Sequence, residues 1–203
     1  MGDSQEHPFD PLRYENVART VVSALLERPL YRLTELEPFS GCGIYAIYYT
    51  GSFNPYRTVT TQAGVVPIYV GKAVPSGSRK GTERSEPSRT RALCNRLRQH
   101  AKTLEAAQNL ALSDFLCRHL TVETVWIRLA ERVLLDRFHP VWNSVVDGFG
   151  NHPPGRGRRN MRRPRWDIVH PGRSWALELE PQESAEGIIG EVRRHLAVWG
   201  TPH

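Results

Sequence analysis

The sequence predicts a small α/β (α+β) domain, with a sheet of about three strands flanked by helices, a basic loop insertion and a basic C-terminal extension. Three observations carry this. Short runs of strand composition alternate with segments whose apolar residues recur at helical spacing. The chain has 203 residues, 39% apolar and 24% charged, enough for one core without a disulfide or metal staple. The positive charge is gathered into two segments rather than spread along the chain.

Residues 1–13 read as a mobile tail. From Tyr14 to Leu26, Val17, Val21, Val22, Leu25 and Leu26 follow helical spacing, and Pro29 ends the helix. Gly43–Tyr49 is rich in Ile and Tyr and reads as a strand. Thr50–Ala63 is a polar connection. Val65–Val70 is a second strand, closed by Gly71. Residues 75–90 form a long loop rich in Pro, Ser, Gly and Arg, of the kind that is commonly functional. Ala92–Leu104 is helical, with Leu93, Leu97, Ala101 and Leu104 on one stripe. Asp114–Val122 has strand composition. Trp126, Leu129, Val133, Leu134 and Phe138 mark an amphipathic helix stopped by Pro140. Residues 152–165 show no periodicity, Trp166–Val169 reads as a short strand, and Ser184–Trp199 as a closing helix. This divides the chain into an N-terminal helix and tail (1–39), a central domain (40–145, with the insertion at 73–91) and a basic segment with a last helix (146–203).

Several classes are excluded. No run of about 18 apolar residues exists to span a membrane. The N-terminus, MGDSQEHPFD, lacks the basic and apolar regions of a signal peptide, and Glu6 stands where myristoylation wants Ser or Thr. The expected location is the cytoplasm. Cys42, Cys94 and Cys117 are too few and too far apart for a zinc or disulfide framework, and are expected as reduced thiols in the core. His119, His139, His152 and His170 lack metal-ligand spacing and are expected at the surface or facing a ligand. Trp126 and Trp142 are expected in the core.

Net charge is +6, but residues 72–102 carry nine basic side chains against two acids, and 156–173 carry seven arginines against one. The remainder is acidic. Such concentration is a footprint for a polyanion. Arginine's planar fork suits phosphates and guanine edges. The candidate contacts to such a polyanion are Arg79, Lys80, Arg84, Arg89 and Arg91 in the first cluster. In the second they are Arg156, Arg158, Arg159, Arg162, Arg163 and Arg165.

A second set of residues points to chemistry. Gly43-Ile44-Tyr45 opens the first strand and Tyr69-Val70-Gly71-Lys72 closes the second. Arg96 and His100, four apart, share one helix face. Glu131 lies on the next helix, and Asn143 follows in Pro140-Val141-Trp142-Asn143. Singly, each is an ordinary packing or surface residue. As an ordered set they resemble the GIY-YIG nuclease superfamily over roughly residues 40–145. Within it, the chain looks most like the compact type II restriction endonucleases. The long loop, the twelve-residue step from Glu131 to Asn143 and the basic C-terminal extension carry that likeness.

The resemblance implies an antiparallel sheet and Mg²⁺-dependent hydrolysis of double-stranded DNA at a short palindrome, leaving 5′-phosphate and 3′-hydroxyl ends. The similar enzymes cut CCGCGG, which agrees with a G·C-rich target. It also implies a catalytic set of Tyr45, Tyr69, Lys72, Arg96, His100, Glu131 and Asn143. Glu131 would hold the metal, since one carboxylate suffices for an ion that keeps several waters. Arg96 would grip the scissile phosphate. Tyr45 would act as general base with His100 as relay, and Asn143 would hold local structure or the substrate backbone. The division of roles among Tyr45, Tyr69, Lys72 and His100 stays open. A homodimer follows from two-fold cutting of a duplex, and a DNA methyltransferase is the genetic partner of a restriction enzyme. A structure-specific repair nuclease and a non-catalytic DNA-binding protein on the same fold are the alternatives.

Overall fold

The computed structural model describes residues 12–75, 89–153 and 161–201. The expected tail through Pro11, and Arg79, Lys80, Arg84, Arg156, Arg158 and Arg159, lie outside the described residues.

One strand organises the fold. β2, Gly43–Tyr49, is buried at every position. It pairs antiparallel with β3 (Tyr69–Ala73) on one side and β4 (Phe115–Thr121) on the other. A two-residue strand, β1 (Tyr31–Arg32), pairs with β4 and completes the order β1-β4-β2-β3. The sheet therefore has four antiparallel strands where the sequence predicts about three. β1 is too short to show an alternation pattern.

Because β2 is covered on both faces it reads as a continuous apolar run. Ile44, Ala46 and Tyr48 pack with Val70 against α1 (Tyr14–Leu26) and α4 (Thr124–Phe138), through Val22, Leu25, Ile127, Ala130 and Leu134. Tyr45, Ile47 and Tyr49 face a second core. It holds α3 (Ala92–Ala106), α5 (Val141–Ser144), α6 (Arg165–Val169) and α8 (Ala185–Trp199). Ser184 caps α8, its hydroxyl accepting from the Gly187 N–H at 3.1 Å. Ile188, Val192 and Leu196 press the helix onto that core. The segment after residue 145 thus shares the core of the sheet.

Local expectations were corrected in four places. The second strand runs Tyr69–Ala73, not Val65–Val70. Pro67 has no N–H to give a ladder, and the pairing with β2 runs from Ile47↔Tyr69 to Gly43↔Ala73, through Gly71. The Thr50–Ala63 connection contains a 3₁₀ turn (Asn54–Tyr56) and a short helix, α2 (Arg57–Thr60). Trp166–Val169 is helical: Pro164 precedes the first turn of α6, where its missing N–H costs nothing. Trp142 is buried as expected, but Trp126 is only partly covered and leans on Tyr14 at 6.0 Å between ring centroids. The three cysteines are free and buried, and burial pushes the Cys117 thiol up to about 12. Among the described residues, no helix is long and apolar enough to cross a membrane.

Candidate active site

The site lies around β3, the edge strand next to the sheet centre. Two glycines open the space for it. Gly43 sits so close to β4 that a Cβ would be driven into the Leu120 carbonyl. Gly71 pairs with Tyr45 and lies under its ring, where a Cβ would stand 2.6 Å from Tyr45 Cζ. The missing side chain at 71 lets the Tyr45 ring lie across the neighbouring strand toward α3.

Tyr45 meets His100 there. Tyr45 Oη and His100 Nε2 are 2.6 Å apart, and both residues are buried. Burial holds the His100 imidazolium off, pushing its pKa well below the usual range, and the nearby Arg96 charge adds to this. His100 is therefore neutral, and Nε2 can accept the Tyr45 proton. Burial likewise raises Tyr45 well above an ordinary phenol, with Tyr69 adding and Arg96 opposing. The resting pair is a neutral phenol donating to a neutral imidazole. Tyr69 packs edge-on against His100 at 5.2 Å, and its own pKa is raised by burial, with Arg96 opposing and the Glu131 charge adding a smaller push.

Arg96, one helical turn before His100, donates from Nη2 to the Gly150 carbonyl at 3.0 Å. Nη1 donates to His152 Nε2 at 3.1 Å and lies 3.4 Å from Gln99 Oε1. Phe149 stacks on His100 with centroids 4.5 Å apart and planes 14° apart. Of the turn at 148–152 the sequence reading named only His152, for the surface or facing a ligand; it is exposed and lies against Arg96, while Phe149 and Gly150 were not singled out.

Glu131, on α4, pairs with Lys72 on β3. Its side chain is 19% exposed, so a cation can reach it from solvent. Among the described residues no group of three or more His, Cys, Asp or Glu could hold a metal by itself. One carboxylate completed by water and substrate phosphate fits Mg²⁺, which seldom uses an all-protein cage. Asn143 has a different part from the rest: its amide accepts from the Val70 N–H at 2.9 Å and donates to the Val70 carbonyl at 3.0 Å. It thus closes the open edge of β3 as a further strand would.

The basic residues divide. Arg89, Arg91 and Arg162 are exposed. Arg163 is not free for a base edge. It donates to the carbonyls of Ala176 (3.0 Å), Leu177 (2.9 Å) and Leu179 (3.0 Å), satisfying the end of α7 (Ser174–Leu177). Arg165 is held by Glu183 and Glu191, whose hydrogen bonds raise its pKa further. Both were candidate DNA contacts, and both are instead held within the C-terminal fold. His170, expected at the surface, is fully buried. Its Nε2 meets Tyr56 Oη at 2.7 Å, its Nδ1 meets Asn109 Oδ1 at 2.9 Å, and burial drops its pKa to about 3. His119 stacks on Phe39 at 4.2 Å, half-buried, its pKa pulled down to about 4 by burial.

A family model described as the Eco29kI GIY-YIG domain matches residues 37–196, most of the chain and the whole of the site. No curated protein matches the chain.

Proposed function

The chain belongs to the Eco29kI GIY-YIG family of restriction endonucleases, and from that footing we propose that it is a type II enzyme. It cuts double-stranded DNA at a short G·C-rich palindrome, with Mg²⁺, leaving 5′-phosphate and 3′-hydroxyl ends. The observation that carries the reading is the buried Tyr45–His100 hydrogen bond beside the Arg96 guanidinium.

Hydrolysis needs a deprotonated water, a stabilised phosphorane and help for the leaving oxygen. Tyr45 is too weak an acid here to wait as a phenolate at neutral pH, so it works as a relay. The phenolic oxygen takes the water proton as its own proton passes to His100 Nε2. The water oxygen then bonds to phosphorus, the P–O3′ bond breaks, and the leaving 3′ oxygen takes a proton from solvent to become the 3′-hydroxyl. His100 resists that proton in the free enzyme partly because of Arg96. A phosphodiester anion bound at Arg96 neutralises this field and makes His100 a better acceptor. Arg96 thus both grips the phosphate and times the relay. Glu131 would hold Mg²⁺, which when bound supplies charge stabilisation at the leaving 3′ oxygen. Lys72 balances Glu131 in the absence of metal.

One such site cuts one strand, so a two-fold dimer is the simplest way to cut both. Arg89, Arg91 and Arg162, with Arg79, Lys80, Arg84, Arg156, Arg158 and Arg159, are the proposed DNA contacts. We also propose a cytoplasmic setting with a cognate DNA methyltransferase. Glu131→Ala tests the chemistry. Cleavage should fall by roughly 10³-fold, as expected for losing several kcal/mol of charge stabilisation, while metal-free DNA binding survives. Loss of both together would contradict the assigned role.

A further inference from the structure

Arg173 lies beyond the family's motif residues, yet it is among the most fully engaged side chains described. It is 6% exposed and its partner Asp167 is 1% exposed. Nε donates to Asp167 Oδ1 at 2.6 Å and Nη2 to Asp167 Oδ2. The remaining donors go to one turn: Nη2 to the Gly148 carbonyl at 2.9 Å, Nη1 to those of Phe149 at 3.3 Å and Asn151 at 3.0 Å. Trp166 and Trp175 cover the guanidinium at 4.9 and 4.7 Å. The fork's N–H groups are thereby spent, and lysine could reproduce neither the fork nor the stack.

The turn Arg173 grips is the one that holds the site. Phe149 stacks on His100, and the Gly150 carbonyl and His152 Nε2 hold Arg96. We propose that Arg173, with Asp167, is a positioning residue: it fixes the 148–152 turn so that Arg96 is aimed at the scissile phosphate. This rests on the nuclease reading of Arg96. A buried ion pair alone is weak evidence of stabilisation. Here it converts charge into the placement of three backbone carbonyls.

A double-mutant cycle tests it. Arg173→Lys, Arg96→Lys and the double variant are compared on unmethylated phage DNA with enzyme in excess. Arg173→Lys should slow cleavage by roughly 10–100-fold, the scale of an ångström's misplacement. Metal-free DNA affinity should change by less than about threefold. In the Arg96→Lys background, the same change should cost less than about threefold. Equal losses in both backgrounds, or none in the first, would overturn the proposal.

Gly150→Ala approaches the link from the other end, and serves if Arg173→Lys does not fold. Its Cβ would stand 2.6 Å from Arg96 Nη2 and 3.0 Å from Tyr69 Oη, its nearest neighbours being these two residues and not Arg173. It should slow cleavage and be equally non-additive with Arg96→Lys, and an unchanged rate overturns the claim. The Arg96 Nε–Hε NMR signal of the DNA-free protein, identified by its loss in Arg96→Lys, gives a readout without catalysis. It should move in both variants, and an unmoved signal overturns the proposal. If the unmodified protein does not cut DNA, the nuclease reading falls, while this signal still decides the positioning claim.

Discussion

Gly71→Ala isolates the close approach on which the site depends. The added Cβ would lie 2.6 Å from Tyr45 Cζ and 3.2 Å from Cε1. Carbon atoms pack at about 3.5–4.0 Å, so the ring must retreat by about 1 Å. Tyr45 is fully buried, so the space must come from its neighbours. Overpacking of this kind costs about 1–3 kcal/mol. The Tyr45 Oη to His100 Nε2 separation is 2.6 Å. Another ångström takes it past hydrogen-bonding range and breaks the relay. The melting temperature should fall by roughly 2–12 °C, at about 2–4 °C per kcal/mol for a chain of this size. Single-turnover cleavage should fall by roughly 10²-fold. Gly190→Ala is the control. Its Cβ meets only Arg194 Nη1, at 3.7 Å, within α8, and it should raise stability by about 0.5–1 kcal/mol with no change in rate. A Gly71→Ala protein that melts and cuts like the unmodified chain would refute the reasoning.

Acid should weaken the protein through His170. Its folded pKa of about 3 lies below the unfolded value near 6.5, so the folded state binds fewer protons between them. Its contribution is full above about pH 6.5 and is lost as pH falls toward 3, by about 1.4 kcal/mol per pH unit. Urea melts at pH 7, 6 and 5 should show at least this slope, since His100 and His119 are depressed in the same sense, and His170→Gln should lessen it. Arg165→Ala should cost about 1 kcal/mol through the half-exposed pairs with Glu183 and Glu191 and leave the salt dependence of DNA binding unchanged. A reduced slope by about one phosphate would restore it as a DNA contact. Light scattering should give about twice the monomer mass, and a clean monomer even on DNA would count against the dimer.

The parts of this fold legible in the sequence are those whose signal is local. Tyr14–Leu26 was read to the residue because its apolar stripe is bounded by an exposed face and a following proline. Of the site, spacing alone gave only that Arg96 and His100 share a helix face; Tyr45 and Tyr69 were singled out by the resemblance to the GIY-YIG superfamily, and the structure places both beside His100. The strand at Tyr69–Ala73 was misplaced because Val65, Val66, Ile68 and Val70 look strand-like, while Gly71 looks like a stop. In three dimensions that glycine is mid-strand, making room for Tyr45. Arg163 and Arg165 look like any other arginine in a basic run. Their partners are 13 to 26 residues away, and charge counting does not see them. Arg173 was counted as charge for the same reason, and His170 was placed outside because nothing near it in sequence announces Tyr56 or Asn109.

The central claim is a metal-dependent, sequence-specific cut. It is tested most directly by digesting long unmethylated phage DNA with the purified protein, with and without Mg²⁺. Discrete fragments that require Mg²⁺, with ends at one G·C-rich palindrome, are the predicted result. Intact DNA that still shifts in a gel, or a smear with no preferred ends, would contradict it.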